Sequence, residues 1–288
     1  MGNWVSIVHD QLDTLEQCGL GYIAKDLTIT YRNSPHDEER TVQILRGMVK
    51  HYNFSTLLHS VKIINAGSSY PYEWPIMQEI YNKCSSSSSL NPTREGHSSD
   101  YQVKDENSKK IVYYLHNKGS SKYNPRWKPE IHDTYYRVLL WRKYMEWFIY
   151  ERPTLCLKAI LRHGAMTCGV QLKTKPLVHY SGNFWAASCD YIQQLNNNKP
   201  TGSKQVRYIG AELWIGNQTM TRNETEVLNL FSIPTPHLYN EPIYLRPFLD
   251  SGGALPERYN LVFSNKTSWP KDRYKLWLDY LSGIDSLL

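Results

Sequence analysis

Residues 109–119 read Lys-Lys-Ile-Val-Tyr-Tyr-Leu-His-Asn-Lys-Gly. The apolar and ring-bearing run Lys109–Leu115 (KKIVYYL) predicts a strand, and His116-Asn117-Lys118-Gly119 predicts the polar tip on which that strand ends. Strand tips matter because, in open α/β sheets, ligands sit beyond the carboxyl ends of the strands. The fold class therefore turns on what flanks this strand.

Towards the amino end, Asn3–Gly19 carries Trp4, Ile7, Val8, Leu12 and Leu15 at helical spacing and stops at a glycine. Asp26–Tyr31 (DLTITY) predicts a strand, and Val42, Leu45, Met48 and Val49 mark the apolar face of a second helix. Val61–Asn65 (VKIIN) predicts another strand, followed by a loop at Gly67–Ser69 and a helix from about Pro71 to Cys84. Towards the carboxyl end, a long helix rich in Tyr and Trp is expected over about 131–151, and another from Pro153 to about His163. Met166–Leu172, Val178–Tyr180 and Phe184–Ala186 predict strands, and Cys189–Leu195 a short helix. A closing helix is expected on Tyr274, Trp277, Tyr280, Leu281 and Ile284. Strands alternating with helices argue for one α/β domain over 1–288 with a largely parallel sheet. It is interrupted by a Ser-rich low-complexity insertion at about 85–108 and has a less regular part from about 217. The ligand rule then points to Gly67–Ser69, His116–Gly119 and the loop before His179.

Composition narrows the function classes. The 288 residues include 33 Lys and Arg against 27 Asp and Glu, a net charge of +6 that is too dispersed for a dedicated nucleic-acid binder. There is no apolar run near the ~20 residues a membrane span needs, nor the basic start and apolar stretch of a signal peptide, so the expectation is a cytoplasmic chain. Tyr and Trp (22 and 9) far outnumber Phe (6), which fits either a Tyr-built core or a surface that stacks on sugars. Cys18, Cys84, Cys156, Cys168 and Cys189 are widely spaced without a CxxC pair, and predict reduced, buried thiols rather than disulfides or a zinc cluster. Sequons at Asn53, Asn217, Asn223 and Asn265 read as chance matches in an Asn/Ser/Thr-rich chain.

Three constellations carry chemistry. In the first, the strand tip presents polar side chains, Lys118 offers a point charge for a phosphate and Gly119 permits close backbone approach; the alternative is a turn with a solvated Lys. The second, Val178-His179-Tyr180-Ser181-Gly182-Asn183-Phe184-Trp185, concentrates hydrogen-bonding groups between rings and suits a shallow polar pocket, or else a structural turn. It lacks the GxSxG order of a serine hydrolase. The third, Ala211-Glu212-Leu213-Trp214-Ile215, seats an acid among apolar residues, where desolvation would make it a general base; the alternative is a helix-surface Glu or a salt bridge to Arg207. Trp185 and Trp214 are candidates for sugar stacking or for the core. Asp-x-Asp, HExxH, GxGxxG after a strand and GxxxxGK[ST] are all absent. No cofactor is predicted, and Mn²⁺ or Mg²⁺ would have to bind without the usual acidic pair.

Taken in order, Tyr114–Gly119 (YLHNKG), Trp141-Arg142…Met145…Phe148 (WRKYMEWF), His179–Ala186 (HYSGNFWA) and Arg207…Glu212-Leu213-Trp214-Ile215 resemble a widespread family of glycosyltransferase-like proteins. That family has YxHTKG, a WRxxMxxF helix, HFSGNFWWA and an AExWI segment. The Asn3–Gly19 helix and Tyr72-Glu73-Trp74-Pro75 are similar to family features too, and Asn117 stands where Thr is commoner. The resemblance implies a GT-A-type, Rossmann-like mixed or mostly parallel sheet flanked by helices. Family members carry an apolar strand ahead of the Asn-Trp helix, and the expectation for this chain is a sheet without it. It further implies a nucleotide-sugar donor and a glycan or other hydroxyl acceptor, with Glu212 as base and His116, Asn117 and Lys118 at the diphosphate. Ser181, Gly182 and Asn183 would line the sugar or acceptor pocket. The alternative is a non-catalytic glycan-binding or scaffold protein on the same fold.

Overall fold

The structure, a computed structural model, describes residues 4–17, 19–31, 38–52, 54, 58–66, 73–86, 110–117, 138, 141–174, 178–198, 210–216 and 227–229. Most of the Ser-rich insertion, Gly67–Ser69, Lys118, Gly119, Arg207, the four sequons, Cys18 and the expected closing helix lie outside the described residues.

The chain is mixed α/β. Helix α1 (Trp4–Gln17) is followed at once by a short α2 (Gly19–Ile23), so the helix does not end at Gly19 but breaks and resumes. Strand β1 (Asp26–Tyr31), α3 (Glu38–His51) and β2 (Ser60–Asn65) form a β-α-β unit in which β1 and β2 pair in parallel, Asp26 opposite Ser60 through Tyr31 opposite Asn65. Helix α3 suits its place: Glu38 and Glu39 open its positive end and Lys50 and His51 close its negative end, while Leu45 and Met48 face inward. Helix α4 (Trp74–Ser85) begins with Pro75 in its first turn, where the missing N–H costs no helical bond.

Strand β3 (Ile111–Tyr114) belongs to a second, four-stranded sheet in the order β3-β7-β4-β8, with β4 Thr167–Gly169, β7 Trp185–Ser188 and β8 Val227–Asn229. Between β4 and β7 the hairpin β5 (Leu172–Lys173) and β6 (His179–Tyr180) stands apart as its own antiparallel pair. The expectation of a largely parallel sheet is corrected here. β1–β2 and β4–β8 are parallel, but β3–β7, β4–β7 and β5–β6 are antiparallel. The physical reason lies in the connections: a parallel pair needs a crossover of a dozen residues or more, whereas β5 and β6 are joined by five, 174–178, and the chain leaves that hairpin pointing back along β4.

Helix α5 (141–146) continues as a π-helix over Trp147–Glu151, closed by the bond from the Arg152 N–H to the Trp147 carbonyl (3.2 Å), before α6 (Pro153–Arg162). Every residue from 141 to 150 is buried. That includes Arg142, Lys143 and Glu146, whose charges are met inside: Arg142 and Lys143 each lie 2.9 Å from Asp10 of α1, and 3.3 and 3.2 Å from Glu146. Gln11 adds a hydrogen bond to Glu146 at 2.8 Å. Burial pushes the nearby Glu151 carboxyl up from 4.5 to about 7; Lys143 opposes the rise, and Glu146 and Asp10 add to it. Trp141, Met145, Phe148, Ile160 and Phe184 pack one core, and Leu12, Leu45, Met48 and Tyr150 another against β1 and β2.

The prediction of reduced thiols is also corrected. Cys84 at the end of α4 is bonded to Cys189 at the start of α7 (Cys189–Ile192), and Cys156 of α6 to Cys168 of β4. The pairs are 105 and 12 residues apart, so spacing gave no sign of them. Among the described residues no helix is long and apolar enough to cross a membrane.

Two predictions follow from this packing. In the chain-entropy limit, losing the 105-residue loop closure costs about 5 kcal/mol and the 12-residue one about 3 kcal/mol. Urea unfolding should therefore rank Cys84→Ser below Cys156→Ser, and reductant should weaken the wild type. For Glu151, a carboxyl whose folded value is raised binds its proton more tightly when folded. Its penalty is absent below about 4.5, grows between about 4.5 and 7, and is complete above about 7. Glu151→Gln should be more stable than wild type at pH 8 by on the order of 3 kcal/mol and near-equal at pH 4, read by denaturation at the two pH values.

Candidate functional site

The carboxyl end of β3 is where distant parts of the chain meet. Tyr114, the last strand residue, is 4% exposed and its ring lies against Trp185 (centroids 5.1 Å) and His116 (6.1 Å). His116 and the exposed Asn117 follow it out of the sheet.

Glu73 arrives from the other side. It precedes α4 with helical backbone, yet its side chain does not cap that helix. Its carboxylate instead accepts from His116 Nδ1 at 2.8 Å, from Asn183 Nδ2 and from the Tyr114 hydroxyl. Burial first, then the charge and hydrogen bond of Glu73, then the charge of Glu212 drive the Tyr114 hydroxyl well above its ordinary value of 10. The two carboxylates, distant in sequence, thus both act on one phenol.

The Ser181-Gly182-Asn183 segment is a tight turn. The Asn183 N–H reaches the Tyr180 carbonyl at 2.9 Å, and the Ser181 N–H reaches Gln171 at 3.0 Å. Gly182 takes φ +96°, at the position where a turn of this kind needs a residue without a side chain. A Cβ there would also collide with the Met145 sulfur of α5. Asn183 itself is left-handed (φ +57°), a conformation Asn tolerates better than most. Both ends of its amide are engaged: Nδ2 donates to Glu73 and Oδ1 accepts from Trp185 Nε1 at 2.9 Å. The carbonyl of Gly182 faces His116 Nε2 at 2.9 Å.

Both ring nitrogens of His116 therefore face oxygens that only accept, the Glu73 carboxylate and the Gly182 carbonyl. In this arrangement neither N–H is free for a diphosphate, so His116 acts as a clasp between β3, α4 and the 180–183 turn. Trp185 (0% exposed) and Trp214 (3%) are packed in one core with Tyr114 and Trp74, and present no ring to solvent. The Trp214 indole N–H bonds the Asn196 carbonyl at 3.0 Å. Ser181 and His179 are half-buried, with His179 paired to Lys173 across the β5–β6 hairpin.

Glu212 lies on the helical turn 210–213, just before the 3-10 turn Trp214–Gly216. That turn is fixed by the Tyr191 hydroxyl on the Ile215 carbonyl (2.6 Å) and by Gly216, where any Cβ would strike the Val178 carbonyl. Glu212 is half-buried and, among the described residues, makes no hydrogen bond or ion pair. Among those residues no group of three or more His, Cys, Asp or Glu is placed to hold a metal ion.

The structure thus brings together His116, Gly182, Asn183, Trp185 and Trp214 of the sequence-predicted residues, with Glu212 within electrostatic reach. Lys118 and Gly119 lie outside the described residues. Sequence reasoning missed Glu73 and Tyr114 as members of the site. The signal for Glu73 was an acid set between a strand's carboxyl end and a proline-opened helix, the place where α/β sheets present ligand-facing groups.

No curated protein and no solved structure matches the chain. The family described as Domain of unknown function (DUF8361) matches residues 3–224, a span that holds every residue of this cluster, and the chain belongs to that family.

Proposed function

We propose that the protein is a glycosyltransferase with a GT-A-type, Rossmann-like arrangement, moving a sugar from a nucleotide-diphosphate donor to an acceptor hydroxyl. The observation that supports this best is the contrast between the two carboxylates at the end of β3. Glu73 accepts from three donors, while Glu212 is half-buried and has none among the described residues. A half-buried carboxylate with no hydrogen-bond partner among the described residues suits a general base. In this reading Glu212 takes the proton of the acceptor hydroxyl and the acceptor oxygen bonds to the anomeric carbon. The bond from that carbon to the diphosphate breaks, and the diphosphate leaves with the electron pair. Lys118, carried over from the resemblance, supplies positive charge to the leaving group.

A second reading, a non-catalytic glycan-binding or scaffold protein, is favoured by one observation: both nitrogens of His116 are taken by protein oxygens, which removes one expected diphosphate ligand. The two disulfides favour an oxidising compartment over the cytoplasm in either case.

Thermal-shift measurements against UDP, GDP, CDP and dTDP, with and without Mn²⁺, separate the readings. Stabilisation by one nucleotide is expected for the transferase, and silence across all four with stabilisation by free glycans for the binder. In the presence of the donor so identified, Glu212→Gln should lower turnover by about 10²–10⁴-fold with nucleotide binding retained. Wild-type-like turnover would remove Glu212 from the chemistry.

A further inference from the structure

A carboxylate offers two oxygens and about four lone-pair sites, and donates nothing. Glu73 uses that capacity on three donors from two places far apart in sequence, Tyr114 and His116 at the end of β3 and Asn183 in the 180–183 turn. Each of those donors has a second duty. Tyr114 packs on Trp185, His116 holds the Gly182 carbonyl through Nε2, and Asn183 accepts from the Trp185 indole. The side chain that joins them comes from a residue that leaves its own helix uncapped. An acid that only began a helix would turn back on the free N–H groups of the first turn.

We infer that Glu73 is the positioning residue of this site: by accepting from Tyr114, His116 and Asn183 together it fixes the proton on His116 Nδ1 and sets the 180–183 turn against the end of β3. The inference rests on the reading of this cluster as the functional site, and its structural part stands apart from the identity of the ligand. Replacing the carboxylate by an amide of the same shape puts N–H groups where only acceptors fit. If the Gln oxygen accepts from Asn183, its NH₂ faces His116 Nδ1, which must then give up its proton and accept. The ring then carries its proton on Nε2, where it is still donated to the Gly182 carbonyl.

Long-range ¹H–¹⁵N spectra of the histidine rings in the full chain at neutral pH test this, with His116 assigned by the loss of its signals in His116→Asn. The expected result is a protonated Nδ1 in wild type, an unprotonated Nδ1 in Glu73→Gln, and a protonated one again in Glu73→Asp. Stabilisation by the nucleotide found above should weaken at least about tenfold in apparent Kd in the Gln variant and recover in part in the Asp variant. A bare Nδ1 in wild type overturns the inference, as does a Gln variant with wild-type ring signals. Should Glu73→Gln fail to fold, the wild-type spectrum alone decides. Ring signals that respond as expected in a chain no nucleotide stabilises uphold the role of Glu73 and overturn only the transferase reading.

Discussion

The charge cluster inside α5 is the constraint around which the remaining packing is arranged. A helix buried on every side has no solvent for its polar groups, yet this one carries Arg142, Lys143 and Glu146 in its interior. Ions in such a setting must be paired nearly completely, since leaving one partner uncompensated costs about 3–5 kcal/mol. Asp10 and Gln11 of α1 complete the pairing, so α1 is bound to α5 in one register. Apolar faces alone would allow α1 to slide along its neighbour; two cations converging on Asp10 do not. The same helix then passes into a π-turn, which puts Arg152 over the Trp147 ring at 4.3 Å and brings Pro153 to the point where α6 begins.

That constraint reaches the site by two routes. Gln11 spends its two amide hydrogens on Glu146 and on the carbonyl of His116, tying the cluster to the first residue beyond the Leu115 that follows β3. On the opposite side of α5, Met145 and Trp141 close over Gly182, where an added Cβ would press on the Met145 sulfur. The end of β3 and the 180–183 turn are therefore each held against α5 before Glu73 joins them to one another. Preorganisation of this kind is what a site for charge-sensitive chemistry requires, because donors and acceptors fixed in advance need not reorganise when a ligand arrives.

What the sequence disclosed, and what it did not, follows the range of the interactions involved. Strand β1 is read at both of its observed ends and β2 within one residue, because alternation and flanking polar residues are local signals. The direction of β7 was not legible: Trp185–Ala187 is apolar throughout and the whole strand is buried, so nothing within it says which neighbour it meets or which way it runs. The disulfides were hidden for the same reason, since Cys84 meets a partner 105 residues on. Within the site, the turn at Ser181–Asn183 and the isolated acid Glu212 announce themselves through unusual local composition. Glu73 is marked only by its place between a strand end and a proline-opened helix, because its partner Asn183 lies 110 residues away. The tryptophans show the opposite case, where a motif drew attention to rings whose indole N–H groups are answered by protein and whose faces are buried.

The disulfide between Cys84 and Cys189 gains its significance from where its ends lie. Cys84 lies in the last turn of the helix that Glu73 precedes, and Cys189 directly follows the strand that Asn183 leads into and Trp185 opens. The bond from Glu73 to Asn183 closes one end of that pair of elements, and the covalent bond closes the other. Between them Trp74, Met77, Trp185 and Ala187 share one core. A helix held against a strand at both ends and along its length cannot rotate about its axis without breaking a bond, and rotation is the motion that would swing Glu73 away from His116. Glu212 stands outside this frame, on a short turn held through Tyr191 and Gly216. The two acids thus differ in the rigidity of their surroundings as well as in their partners. Glu73 belongs to a covalently closed frame and Glu212 to a segment seated on it, the division of labour that the proposed transferase reading requires.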